Sequence, residues 1–195
     1  RVAYQPIVDL MDGRTVGVEA LIRLDDPDSD RLSSPGELIQ VAETSGLIRA
    51  LGLFVLGTSC AQLAQWRRDG VHEVELHVNV SPFELREPTY VAEVHRVLRV
   101  CQIPPESLVL EITETAALGE DGVSQRNLLA LTTIGIDLAL DDFGTGFASL
   151  DLLAATPART VKLDRSFVAS IGTEDGTVRG RGAIVQAAIG MARSL

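Results

Sequence analysis

The 195-residue chain is poor in cysteine and in basic charge, and it lacks long hydrophobic runs. Its two cysteines, Cys60 and Cys101, lie in apolar stretches of helical period, with no Cys-x-x-Cys spacing and no histidine at a metal-ligand interval. This leaves a zinc site or a disulfide framework unsupported, and the two thiols read as small core residues. No run approaches the ~20 consecutive apolar residues of a membrane span, and the first ten residues lack the basic start and apolar middle of a signal peptide. The chain therefore reads as cytoplasmic, with no membrane contact of its own. Seventeen basic side chains face 27 acidic ones, a net charge of −10. That balance argues against DNA or other nucleic-acid backbones as general partners, while a local basic contact to a small phosphate ligand remains compatible with it. The sequence also has no internal repeat, no low-complexity tract and no linker rich in proline, glycine or serine, so it reads as one domain.

What is present is a core-forming composition, 46% hydrophobic, with short β-rich runs separated by longer segments of helical period. This is the pattern of βα units around a parallel sheet. Strands are expected near residues 2–8, 15–22, 75–80, 108–112, 136–140 and 160–163. Asp12-Gly13 between the first two is a hairpin signal, which makes that pair antiparallel. A helix is expected to open at Pro35 after Ser34, with proline at its first position. Further helices are expected over 47–68, 90–101, 123–134 and 183–195. Six strands are two short of the ~8 that close a (β/α)8 barrel, and the length falls below the typical ~250 residues. An open doubly wound sheet is the rival, but no Gly-x-Gly-x-x-Gly follows any strand. The apolar stripe of Ile184, Val185, Ala188, Met191, Ala192 and Leu195 needs a strand to cover. The expected fold is thus an α/β TIM-like barrel, first strand antiparallel, with its C-terminal units missing from this chain. Because the chain starts at Arg1 rather than methionine, residues 1–195 are expected to be a piece of a longer protein.

Side chains alternate across a strand, so each run divides by parity into two faces. Val18 and Ala20, Leu76 and Val78, Leu108 and Leu110, Leu138 and Leu140, and Val161 and Leu163 form apolar faces that must meet helices. The opposite faces carry Glu19, His77 and Asn79, Glu111, Asp141, Lys162 and Asp164. Most of these fall late in their strands, at the C-terminal mouth where barrel enzymes keep their chemistry. Carboxylates gathered in an enclosed site cannot all ionise without compensation, so some are protonated or divalent cations fill the gap. Oxygen donors from Glu, Asp and the Asn79 amide suit magnesium or manganese rather than zinc. The competing reading is a structural network of ion pairs. With four carboxylates, Glu19, Glu111, Asp141 and Asp142, on three strands, Asp164 beside them and only Lys162 and Arg23 as cations in these runs, the metal reading leads.

At these residues the sequence strongly resembles the EAL domain family, barrels that hydrolyse the bacterial messenger cyclic di-GMP. The resemblance is carried by Tyr4-Gln5-Pro6-Ile7, Glu19-Ala20-Leu21-Ile22-Arg23, Asn79-Val80-Ser81, Glu111-Ile112-Thr113-Glu114, Asp141-Asp142-Phe143-Gly144-Thr145-Gly146 and Lys162-Leu163-Asp164, in this order over nearly the whole chain. It implies that Glu19, Asn79, Glu111 and Asp141 hold one metal ion, with Asp141 bridging to a second that Asp142 also binds. Two magnesium or manganese ions would activate water for in-line displacement at phosphorus, and the product would be the linear dinucleotide pGpG. Lys162 would position or deprotonate that water or neutralise phosphate charge, with Asp164 tuning it. Arg23 would clamp phosphate with its planar fork, and Gln5 and Leu21 would line the substrate groove. Glu114 would steady the loop over 143–149, which the family links to homodimerisation. A fused cyclase or sensory domain outside the chain is a further implied partner. Absent are the Glu-Gly-Val-Glu stretch and later glutamine with which the family continues. The alternative to a hydrolase is a degenerate cyclic di-GMP sensor that binds without cleaving, and a third is a protein-interaction scaffold.

Other features read as ordinary structure. Asp142-Phe143-Gly144 matches the kinase metal triplet, but the glycine-rich loop, strand lysine and His-Arg-Asp loop that accompany it in kinases are missing. His77 sits two residues deeper than Asn79 and reads as a hydrogen-bonded interior histidine. His72 and His95 read as surface residues, and Glu75 and Asp137, at strand starts, belong to the opposite end. Phe54 and Trp66 are expected in helix packing, Arg67-Arg68 as a solvated helix end, and the acidic stretch 25–30 as a solubilising loop.

Overall fold

A computed structural model of the chain describes residues 1–24, 35–118, 122–144, 153, 155–168, 185–187 and 189–190. The sheet contains β1 (Val2–Val8), β2 (Thr15–Ile22), β3 (Glu75–Asn79), β4 (Leu108–Thr113), β5 (Asp137–Phe143) and β6 (Thr160–Leu163), hydrogen-bonded in sequence order. β1 pairs antiparallel with β2 and every later pair is parallel. The result is a curled six-stranded sheet, part of a TIM-like barrel. The turn between β1 and β2 closes with Gly13 donating to the Asp9 carbonyl at 2.8 Å. Single-step crossovers keep all the parallel strands pointing the same way, which gathers their C-terminal ends at one mouth.

The helices are α1 (Pro35–Thr44), α2 (Ile48–Arg68), α3 (Pro82–Leu85), α4 (Tyr90–Cys101), α5 (Glu114–Ala117), α6 (Gly122–Thr133) and α7 (Arg165–Val168), with a 3-10 turn at Pro105–Ser107. Helix α2 buries Val55, Leu56, Cys60 and Leu63, the i, i+4, i+7 stripe of a helix laid on a sheet. Leu76, Leu108, Leu110, Leu138 and Leu140, on the helix-covered side of β3, β4 and β5, have no exposed surface. Each such leucine contributes roughly 1.5–3 kcal/mol of transfer free energy, so the outer layer is where the sheet is held. Trp66 meets Tyr4 edge to face at 4.9 Å, which ties α2 to β1.

Several expectations need correction. Phe54 is 51% exposed because it lies off the buried stripe of α2. Arg67 is not a solvated helix end: its guanidinium donates to Ser107 Oγ. Cys60 is fully buried, whereas Cys101 is only partly buried against the core. β5 continues past Leu140 to Phe143 through a register shift in its pairing with β6. Ser34, the 25–30 loop, residues 145–149 of the loop after β5 and most of the expected 183–195 helix lie outside the described residues.

Candidate functional site

Glu19 on β2, Glu111 on β4, Asp141 on β5 and Lys162 on β6 sit on one face of the sheet because parity leaves their apolar neighbours to the helices. The structure brings them to one atom. Lys162 Nζ lies 2.5 Å from Glu111 Oε2, 3.2 Å from Glu19 Oε2 and 3.4 Å from Asp141 Oδ1. Asn79, opposite Glu111 in the β3–β4 register, donates its amide to Glu19 Oε1 at 2.9 Å. The Glu111 side chain is wholly buried, and its second oxygen meets His77 Nδ1 at 2.9 Å. Burial works against the Lys162 charge, but the hydrogen bond it donates to Glu111 and the charges of Glu111, Asp141 and Glu19 outweigh it, so its pKa is raised.

Asp142 reaches the same rim by a different route. Alternation would send it to the helix side with Leu138 and Leu140. Its backbone instead adopts φ 54°, the left-handed region, at the register shift between Leu140 and Phe143. That irregularity lets two consecutive carboxylates serve one mouth. Partial desolvation and the charges of Asp141, Asp164 and Glu19 raise the Asp142 pKa, against the opposing pull of Lys162. Asp164 accepts from the Ser166 backbone N–H at 2.9 Å as it opens α7, and its pKa is lowered by hydrogen bonding from the Ser166 side chain and then from that backbone N–H.

Beside the mouth is a cavity of about 510 Å3, within the range of small-molecule sites. Glu19, Leu21, Arg23, Asn79 and Asp142 line it together with the apolar Ile39, Ile48, Leu51 and Val55. Arg23 donates one guanidinium N–H to the Ile22 carbonyl at 2.8 Å. Gln5 is exposed and stands directly opposite Glu19 in the β1–β2 register. Glu114, at the start of α5, accepts from the Gly144 backbone N–H at 2.8 Å and so anchors the beginning of the loop after β5.

The sequence reading missed two carboxylates of this cavity, Glu43 and Glu84. Glu84 had a signal: Ser81-Pro82-Phe83-Glu84 is a capping box, and both of its hydrogen bonds form around α3. Glu84 lies against Gly52, where an added Cβ would fall 1.8 Å from its Oε1, so only glycine lets α2 approach this closely. Desolvation pushes the Glu84 pKa up to about 7, helped by Glu93 and opposed by the Ser81 N–H.

With Lys162 in place, no three His, Cys, Asp or Glu side chains among the described residues are drawn together closely enough to hold a metal ion. The donor set nevertheless fits a hard divalent cation. Carboxylates from three strands already converge on one positive atom, and Glu19, Asn79, Glu111, Asp141 and Asp142 offer only oxygen-bearing groups.

Known proteins share this arrangement of sequence and fold. A signaling protein of Caulobacter vibrioides is 40% identical over 194 residues, covering all of this chain and 23% of that protein. The bifunctional diguanylate cyclase/cyclic di-GMP phosphodiesterase MucR of Pseudomonas aeruginosa is 34% identical over 98% of this chain and 27% of its own length. The chain thus spans about a quarter of the curated relatives it matches. The structure of the MucR phosphodiesterase in complex with c-di-GMP superposes with a TM-score of 0.90, covering 100% of this chain and 76% of that one. The EAL domain model matches residues 1–195. By sequence and by fold, the chain belongs to the EAL domain family.

Proposed function

We propose that this domain hydrolyses cyclic di-GMP to linear pGpG with the help of two divalent cations, magnesium or manganese. The observation that carries the reading is the convergence of Glu19, Glu111 and Asp141, from three strands, on one cationic atom at the mouth, beside a cavity lined by both polar and apolar side chains. A cyclic dinucleotide needs those two environments, one for phosphodiester and one for purine. Its similarity to MucR, named as a cyclic di-GMP phosphodiesterase, supports the same substrate.

Cations held by Glu19, Asn79, Glu111, Asp141 and Asp142 would supply an activated water and neutralise charge building on the phosphoryl oxygens. Hydrolysis consumes one water, breaks one ring P–O bond and leaves a terminal phosphate and a free hydroxyl. Lys162, held as the ammonium by its raised pKa, positions the attacking water or neutralises the phosphate, and the deprotonating role the sequence also allowed it does not fit that charge. Arg23 retains guanidinium donors for a phosphate oxygen, Leu21 lines the groove, and Gln5 stands opposite Glu19 on the neighbouring strand, outside the cavity lining. Asp164, two residues beyond Lys162, tunes the charge or orientation of that ammonium, and its own charge also acts on Asp142.

The test is to incubate the full-length protein with cyclic di-GMP and Mg2+ or Mn2+ and to separate the products. The expected outcome is pGpG from the wild type and none from Glu19→Ala. Binding without turnover would replace the hydrolase with a sensor, and neither binding nor turnover would leave a scaffold.

A further inference from the structure

His77 has no part in the reaction outlined above, yet it is buried directly beside it. It is 6% exposed, one alternation deeper in β3 than Asn79, on the same face. Its Nδ1 lies 2.9 Å from Glu111 Oε1, and Glu111 has no exposed side-chain surface. The two oxygens of this carboxylate are therefore divided. The outer one, Oε2, meets the positive charge of Lys162 at the mouth, and the inner one meets the imidazole. A buried carboxylate oxygen out of reach of solvent needs a donor, and an acceptor-only partner draws the imidazole proton to Nδ1. Space for the ring comes from β2: a Cβ on Gly17 would lie 3.2 Å from His77 Cδ2 and Nε2. The far nitrogen is 3.7 Å from Glu75 Oε2, longer than a hydrogen bond, so the close contact is with Glu111 alone.

We infer that His77 is a positioning residue for Glu111: its Nδ1–H holds Oε1, fixing the carboxylate so that Oε2 is presented to the cation at the mouth. The inference rests on the proposed reading that Glu111 is a ligand of a divalent ion. Partners that orient metal ligands typically change metal affinity 10–100-fold when removed.

The experiment titrates the full-length protein with Mn2+ and follows the free ion by electron paramagnetic resonance. Two variants of similar polarity separate geometry from mere occupancy. In His77→Asn the amide nitrogen falls near the position of Nδ1, and in His77→Gln near that of Nε2. The expected result is Mn2+ affinity within about twofold of wild type for Asn and weaker by about 10-fold for Gln, with both variants melting cooperatively. Gln binding as tightly as wild type, or Asn as weakly as Gln, overturns the inference while leaving the metal reading intact. Wild type that binds no Mn2+ overturns both. Proton NMR of the wild type needs no variant to fold: a protected Nδ1–H resonance of His77 that shifts on adding Mg2+ supports the inference, and a ring protonated only at Nε2 defeats it.

Discussion

Lys162 is where the electrostatics of this domain are concentrated. Its side chain is 25% exposed, and it is the only described cation bonded to Glu19, Glu111 and Asp141. Taking it away leaves the fully buried Glu111 carboxylate with His77 alone, and removing one partner of a buried pair is costly because the other charge stays behind. Lys162→Ala should therefore lower the unfolding free energy by about 3 kcal/mol in metal-free buffer at neutral pH. Urea denaturation measures it; a loss below about 0.5 kcal/mol, the level of an exposed ion pair, would show that the ammonium does not hold these strands together. Asp142 makes a different point at the same scale. The strand pattern alone sends it to the wrong face, and only its left-handed backbone explains how it joins the rim.

Among the elements, α3 is a single turn with consequences beyond its length. Its capping box is formed by Ser81 and Glu84, and Glu84 is 4% exposed. Desolvation against Gly52 raises the folded-state pKa from 4.5 to about 7. The folded protein thus binds this proton more tightly than the unfolded chain does. Between those two values the unfolded state holds fewer protons, so stability falls as pH rises through the window, and the full penalty stands above it. Glu84→Gln keeps an oxygen to accept from Ser81 and removes the charge. It should be more stable than wild type by about 3 kcal/mol at pH 8 and indistinguishable from it at pH 4. Thermal melts at the two values decide this; equal gains at both would mean that ionisation is not the cause. The motif was readable as Ser-x-x-Glu, but the pKa was not, since it depends on a glycine some thirty positions earlier in the chain.

For the molecule as a whole, a net charge of −10 with carboxylates crowded at one mouth leaves repulsion that divalent cations would relieve. A ligand that binds only the folded state stabilises it by about 2.7 kcal/mol at a hundred times its Kd. For a chain of this size Mn2+ should then raise Tm by about 5–10 °C over the protein in EDTA. Glu19→Ala, lacking one oxygen donor, should lose most of that rise. Differential scanning calorimetry with and without chelator is the measurement, and an identical Tm in both would argue against a cation site.

Much of this was legible in the order of residues. Period-2 runs separated by helical periods specify βα units, because a parallel sheet must be covered by helices, and parity assigns Glu19, Asn79, Glu111, Asp141 and Lys162 to one face without coordinates. The antiparallel first pair followed from Asp12-Gly13 in the same local way. What only the tertiary structure decided is non-local. The ammonium of Lys162 stands among three carboxylates, where sequence reasoning counted too few cations to balance them, because one charge can serve several partners only when distant strands converge. The turn of Asp142 onto the rim, the burial of Glu84 behind Gly52 and the division of Glu111 between His77 and Lys162 arise from packing between segments far apart in the chain. Parity and periodicity describe one strand or helix at a time, and these contacts belong to pairs of them.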